Sequence, residues 1–203
     1  MKYNKLAASL FFTGMLLLSG CGSSDSGDAA TTPPAATTPP ATTTPPANTQ
    51  QVLESTTIVT TDGEVIRVDR TAGGLIFEGH EGKIVLLEIY GDTCPHCKDA
   101  IPAYNRLQAK YPNDVYVITI ESYGQLNNAG LQQYVATNGM QYDTVSKENS
   151  GNMFSFIQTL TGYNTNQGVP VLLVLSRDGD LAEYLPPQVL NEAYVDGLIQ
   201  GLL

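Results

Sequence analysis

The chain contains no tryptophan, two histidines and three cysteines in 203 residues. That scarcity closes off several chemistries. A structural zinc site takes about four nitrogen or sulfur ligands. Beside Cys94 and Cys97 only His80 and His96 remain, and His96 sits between the two thiols, badly placed to chelate with them. Covalent c-type haem needs a histidine directly after the second cysteine, where Lys98 stands. Basic residues are sparse as well: 10 Lys+Arg face 20 Asp+Glu, a formal charge of −10. This balance argues against nucleic acid and against electrostatic adhesion to anionic lipid. It selects no partner by itself.

What is present begins with a targeting segment, residues 1–20. Lys2 and Lys5 supply a positive start, and residues 6–18 an apolar stretch short of the ~20 residues a membrane span needs. It ends in Leu18-Ser19-Gly20-Cys21, which resembles a bacterial lipobox, so Cys21 is expected to become the lipidated first residue of the mature chain. The alternative is an ordinary secretory signal followed by an incidental cysteine. Either way the rest is exported to a compartment where a disulfide persists. Cleavage would remove two lysines and no acid, taking the formal charge to −12. Residues 21–51 read as the lipidated cysteine and a disordered linker. Its Thr-Thr-Pro-Pro repeats at 31–34, 37–40 and 43–46 offer no apolar side chain larger than alanine, and such sequence favours extended polyproline II. Residues 52–203 are one domain's worth of chain.

Within that domain, residues 57–60 and 64–68 flank Asp62-Gly63 as a hairpin. Residues 83–90 (KIVLLEIY) form a nearly continuous apolar run, expected of a central strand covered on both faces. Gly91-Asp92-Thr93 breaks it. A helical pattern follows from Cys97 through Ile101, Tyr104 and Leu107 until Pro112. Residues 115–120 read as a second buried strand. Helices are expected over 126–137, closed by Gly139, and over 153–160. Residues 171–175 and 181–184 around Asp178-Gly179 read as an antiparallel hairpin, and 190–202 as a final helix. Strands alternating with helices make the domain α/β, and the closing hairpin makes its sheet mixed.

In this setting the sequence resembles the thioredoxin-fold proteins. Its element order is similar to that of the membrane-anchored TlpA/ResA-like branch, over most of 57–203. The resemblance rests on Cys94 and Cys97 at a strand-to-helix junction, Lys98 after the pair, and Pro102 five residues past Cys97. It rests also on Glu88, six residues before Cys94, where this fold commonly buries an acid. Gly168-Val169-Pro170 stands where the family places a cis-proline loop. Two features depart from the pattern. Thr93 occupies a position where the family often has an aromatic residue. Pro95-His96 and Val169 are more similar to the oxidant DsbA, although no DsbA-like helical insertion fits between Cys97 and Pro170. The resemblance implies a thioredoxin fold with a central mixed β-sheet flanked by helices and an N-terminal β-hairpin extension. It further implies a lipid-anchored thiol–disulfide oxidoreductase of the cell envelope, with no cofactor beyond the redox-active Cys94–Cys97 pair. Its partners would be protein thiols and disulfides, apocytochrome c among them, and a membrane electron donor or acceptor.

Each site residue carries a chemical expectation and an alternative. Cys94, exposed at a helix start, meets unpaired amides and the positive end of the macrodipole, which favour thiolate. Cys97, one turn in, would resolve the mixed disulfide. The alternative is a static disulfide, although so short a loop hardly constrains the unfolded chain. His96 either stabilises the thiolate or is a solvated surface residue; Pro95 shapes the helix start. Glu88 is either the proton acceptor for Cys97, its pKa raised by burial, or a strand residue facing solvent. Pro170 is either cis, bringing the Val169 backbone beside Cys94 to pair with an extended substrate, or a trans proline opening a strand. His80 is a loop residue without an assigned role. Three activities stay open: a TlpA/ResA-like reductase, a DsbA-like dithiol oxidase, and a non-catalytic copper(I)-binding thiol module.

Overall fold

Seven consecutive buried residues, Ile84–Tyr90, form the strand on which the rest is built. The computed structural model describes residues 50–203; Cys21, the targeting segment and the linker through residue 49 lie outside the described residues. In chain order the elements are β1 (Glu54–Val59), β2 (Val65–Arg70), β3 (Leu75–Phe77), β4 (Ile84–Tyr90), α1 (Pro95–Lys110), β5 (Val115–Glu121), α2 (Asn128–Asn138), β6 (Asp143–Val145), α3 (Met153–Thr161), β7 (Val171–Leu175), β8 (Leu181–Leu185) and α4 (Glu192–Leu202). The main sheet has the order β6-β5-β4-β7-β8. β4, β5 and β6 run parallel, and β7 and β8 are antiparallel additions. This is the expected mixed sheet.

Two successive crossovers in one direction, β4-α1-β5 and β5-α2-β6, carry α1 and α2 over the same face, as a common hand requires. The chain then returns across the sheet, and α3 covers the opposite face. Alternate residues of β4 serve the two sides. Val85, Leu87 and Ile89 pack with Met153, Phe156 and Ile157 of α3 and with the N-terminal strands. Ile84, Leu86 and Tyr90 pack with Cys97, Ile101, Tyr104 and Leu107 of α1 and with Val195 and Ile199 of α4. Each fully buried leucine or isoleucine contributes about 1.5–3 kcal/mol.

The expected N-terminal hairpin is present as β1–β2, but it belongs to a three-stranded antiparallel sheet completed by β3. Leu75–Phe77 is too short to show a period, so only the tertiary pairing reveals it. Gly73 and Gly74 dock this small sheet on the β7–β8 turn. The Leu75 amide donates to Gly179 O at 2.8 Å and the Leu181 amide to Gly73 O at 2.9 Å. β6, equally short, adds an edge strand beside β5.

Helix starts moved for identifiable reasons. α1 begins at Pro95 rather than Cys97, because proline's fixed φ suits the first helical position and Cys94 supplies the cap. α2 begins at Asn128 and α4 at Glu192, since Asn127 and Asn191 act as N-caps, accepting from the Gly130 and Tyr194 amides. Gly139 closes α2 at φ +65°, as its sequence position indicated.

Candidate functional site

Cys94 is the N-cap of α1, and its Sγ accepts a hydrogen bond from the Cys97 amide at 3.2 Å. No acidic side chain occupies the helix's first turn, so its partial positive charge is available to a sulfur anion. Cys94 and Cys97 are joined in a disulfide, with Cα atoms 5.3 Å apart. One expectation needs correcting: Cys94 is only 7% exposed, against 2% for Cys97. The cover comes from across the sheet end. The Val169–Pro170 bond is cis, and the Val169 carbonyl oxygen lies 3.8 Å from Cys94 Sγ. Residues 75 positions apart therefore meet at one backbone-lined edge. Pro170 also lines a cleft of about 360 Å³, walled by Tyr104, Leu172, Leu185 and Tyr194.

Glu88 is 2% exposed; it does not face solvent. Its register neighbours are Thr119 on β5 and Leu172 on β7, at the middle of the five-stranded sheet. It shares its side of β4 with Leu86 and Tyr90, beneath α1. The Tyr104 hydroxyl is its hydrogen-bond partner, and Oε1 has none among the described residues. Burial pushes the carboxyl well above its usual range, and the Tyr104 hydrogen bond offsets this only in part. Tyr104 lies two turns past Cys97 on the same helix face.

His96 is exposed, and its Nδ1 lies 3.9 Å from the Asp99 carboxylate. Pro95 sits in the first turn of α1. Lys98 extends its Nζ to 5.8 Å from the Tyr134 ring centre. His80 is stacked on Tyr116 at 3.5 Å between centroids, on the N-terminal-sheet side of the protein; burial, then Lys83, lowers its pKa from 6.5.

Sequence reasoning missed Tyr123. A Cβ on Gly91 would meet the Tyr123 ring at 2.2 Å, so the ring lies directly over the turn in which the Cys94 amide bonds to Gly91 O at 3.1 Å. Glu121 holds that loop by accepting from the Tyr123 and Gly124 amides, each at 2.7 Å. Tyr123 is 42% exposed and places an aromatic ring over the Gly91 turn that leads into Cys94, although position 93 is threonine. The only sequence signal was a glycine between strand and cysteine.

No protein-family model matches the chain, and no curated protein matches it. Solved structures do. The exposed lipoprotein thioredoxin Etrx1 of Streptococcus pneumoniae is 15% identical, with a TM-score of 0.57 over 73% of this chain and 100% of that one. A secreted Mycobacterium tuberculosis disulfide oxidoreductase, described as homologous to E. coli DsbE, is 15% identical, with a TM-score of 0.53 over 72% and 95%. A thioredoxin-family thiol:disulfide interchange protein of Chlorobium tepidum is 18% identical, with a TM-score of 0.52 over 75% and 96%. At such identities the likeness is one of architecture, and it agrees with the sheet order, the cis-proline edge and the capped cysteine helix: the chain has the thioredoxin fold.

Proposed function

We propose that the chain is a membrane-anchored, extracytoplasmic thiol–disulfide oxidoreductase that reduces disulfides of envelope proteins. One observation carries this reading: a disulfide whose outer sulfur caps α1 and lies 3.8 Å from the Val169 carbonyl. In the working direction both cysteines start as thiols. The Cys94 thiolate attacks one sulfur of a substrate disulfide, and the other substrate sulfur leaves as thiolate and takes up a proton. Cys97 gives its proton to Glu88 and attacks Cys94 Sγ. The Cys94–Cys97 bond forms, the Cys94–substrate bond breaks, and the second substrate sulfur leaves as thiolate and takes up a proton from water. The substrate gains two electrons and the protein dithiol loses them; a membrane electron donor restores the dithiol. The Val169 backbone aligns an extended substrate segment, and His96 with Pro95 sets how readily the pair is reduced.

The lipobox at Cys21 and the linker support anchoring, and two similar structures are described as a secreted protein and an exposed lipoprotein. Reduction of insulin by the wild type, lost in Cys94→Ser and converted to trapped mixed disulfides in Cys97→Ser, tests the chemistry. Release into the soluble fraction by Cys21→Ser tests the anchor. Pro95-His96 and the acid-free first turn of α1 favour a second reading, a dithiol oxidase. A potential near −120 mV against glutathione would establish that direction instead. Stoichiometric copper(I) binding without exchange would overturn both.

A further inference from the structure

Behind α1 three phenol hydroxyls end in the interior without a partner among the described residues: Tyr90, Tyr134 and Tyr142. Glu88 Oε1 and Asp92 Oδ1 share that condition. These residues come from separate elements. Glu88 and Tyr90 lie on β4, Asp92 follows it, Tyr134 is on α2, and Tyr142 precedes β6. They nevertheless form one cluster. The Tyr90 and Tyr134 rings are 6.2 Å apart and the Tyr104 and Tyr142 rings 5.7 Å. The Glu88 carboxyl acts electrostatically on all four tyrosines, and Asp92 acts on Tyr134. Glu121 also faces the cluster, through Tyr90, and Lys98 lies over Tyr134 at its outer side. A buried hydroxyl without a partner is costly. Several such groups converging on one carboxyl supply the two to four contacts that a buried water requires.

We propose that the Tyr142, Tyr90 and Tyr134 hydroxyls, bridged by water, form a proton relay from Glu88 to the partly exposed Asp92, two residues before Cys94. The relay rests on the thiol-exchange reading and deepens it. When Cys97 attacks, its proton goes to Glu88, which is sealed from solvent and passes a proton on to the relay within that same half-reaction. Each hydroxyl accepts a proton on its Glu88 side and releases its own on the Asp92 side, so no tyrosine becomes charged. This matches the burial that raises all three phenols above their ordinary range, Tyr134 to about 12.

The test uses Tyr142→Phe, Tyr134→Phe and Asp92→Asn, with single-turnover oxidation of the dithiol by glutathione disulfide in H₂O and D₂O. The expected result is a rate slowed by about tenfold, part of the ~10²–10⁴ that positioned proton transfer supplies, with a larger solvent isotope effect. The equilibrium with glutathione stays within about twofold of wild type, because the end states are the same. The urea midpoint of each phenylalanine variant falls, since a bridging water loses a partner. An unchanged rate, or a midpoint that rises as expected for a dry, orphaned hydroxyl, overturns the relay while leaving the exchange chemistry standing. A wild type that fails to exchange with glutathione overturns the proposed function itself.

Discussion

Replacing Glu88 with glutamine keeps a polar group opposite Tyr104 and removes the ability to ionise. The size of the effect follows from the surroundings. Glu88 is 2% exposed, and burial together with one tyrosine hydrogen bond governs its titration. In the unfolded chain the carboxyl titrates near 4.5; in the folded protein it titrates well above that. Between the two values the folded protein holds one proton more than the unfolded chain. Stability from this group is therefore full below the lower value and declines as pH rises toward the higher one, by about 1.4 kcal/mol per pH unit. Above the folded value the loss is complete. Glu88→Gln has no such slope. Its stability relative to wild type should climb by about 1.4 kcal/mol per pH unit between about pH 5 and the folded titration. Urea unfolding of the oxidised protein at several pH values reads this directly. The same variant should exchange disulfides about 10²-fold more slowly, because an amide cannot take the Cys97 proton. A stability difference that stays flat with pH would show that Glu88 is solvated or already ionised, and would remove the buried acid from the site.

Further tests address the joints of the fold. Gly74→Ala would set a Cβ 1.9 Å from the Gly179 carbonyl oxygen; it should cost about 2–3 kcal/mol in urea unfolding by prising the small sheet from the β7–β8 turn. Gly91→Ala would displace the Tyr123 ring and slow insulin reduction. In a Tyr123→Ala background the same change should be nearly neutral, with a coupling energy of about 1 kcal/mol in a double-mutant cycle. Burial lowers the His80 pKa from 6.5, so the folded state binds fewer protons than the unfolded one just below that value. Stability should fall as pH drops through 6.5 toward the folded value, and His80→Gln should flatten this in thermal melts. This slope is opposite in sign to that of Glu88.

Much of this arrangement was legible because it was local. An apolar run of strand length gave β4, and a C-x-x-C after a break placed the following helix to within two residues of its start; the cis bond before Pro170 came from the family resemblance, with a trans bond as the alternative. Gly139 gave the end of α2. The missed features were non-local. Leu75–Phe77 and Asp143–Val145 are strands only because β2 and β5 are beside them. A strand buried on both faces loses its alternation, so the KIVLLEIY run left open which way Glu88 points; the crossovers of α1 and α2 decide it. Tyr90, Tyr104 and Tyr134 lie on three elements and Tyr142 in the connection before β6, with no common period, and nothing in the chain order marks them as one cluster. Tyr123 was hidden likewise, since its neighbour Gly91 lies 32 residues earlier.

The two faces of β4 divide the demands on the molecule. Val85, Leu87 and Ile89 enter an apolar core with α3 and the N-terminal sheet, whereas Glu88, Thr119 and Glu121 all project beneath the α1 face. Of these, Thr119 is hydrogen-bonded to Thr144 and Glu121 to two backbone amides, so Glu88 alone keeps an oxygen unpaired. Unfavourable burial tends to persist only where the surroundings enforce it. Here the enforcement is topological: Glu88 occupies the central strand, with β5 and β7 on either side and α1 above. The helix that Cys94 caps also seals the carboxyl away from solvent. Moving the acid out of the sheet would relieve its burial, and would equally remove it from beneath α1, the helix that carries Cys97.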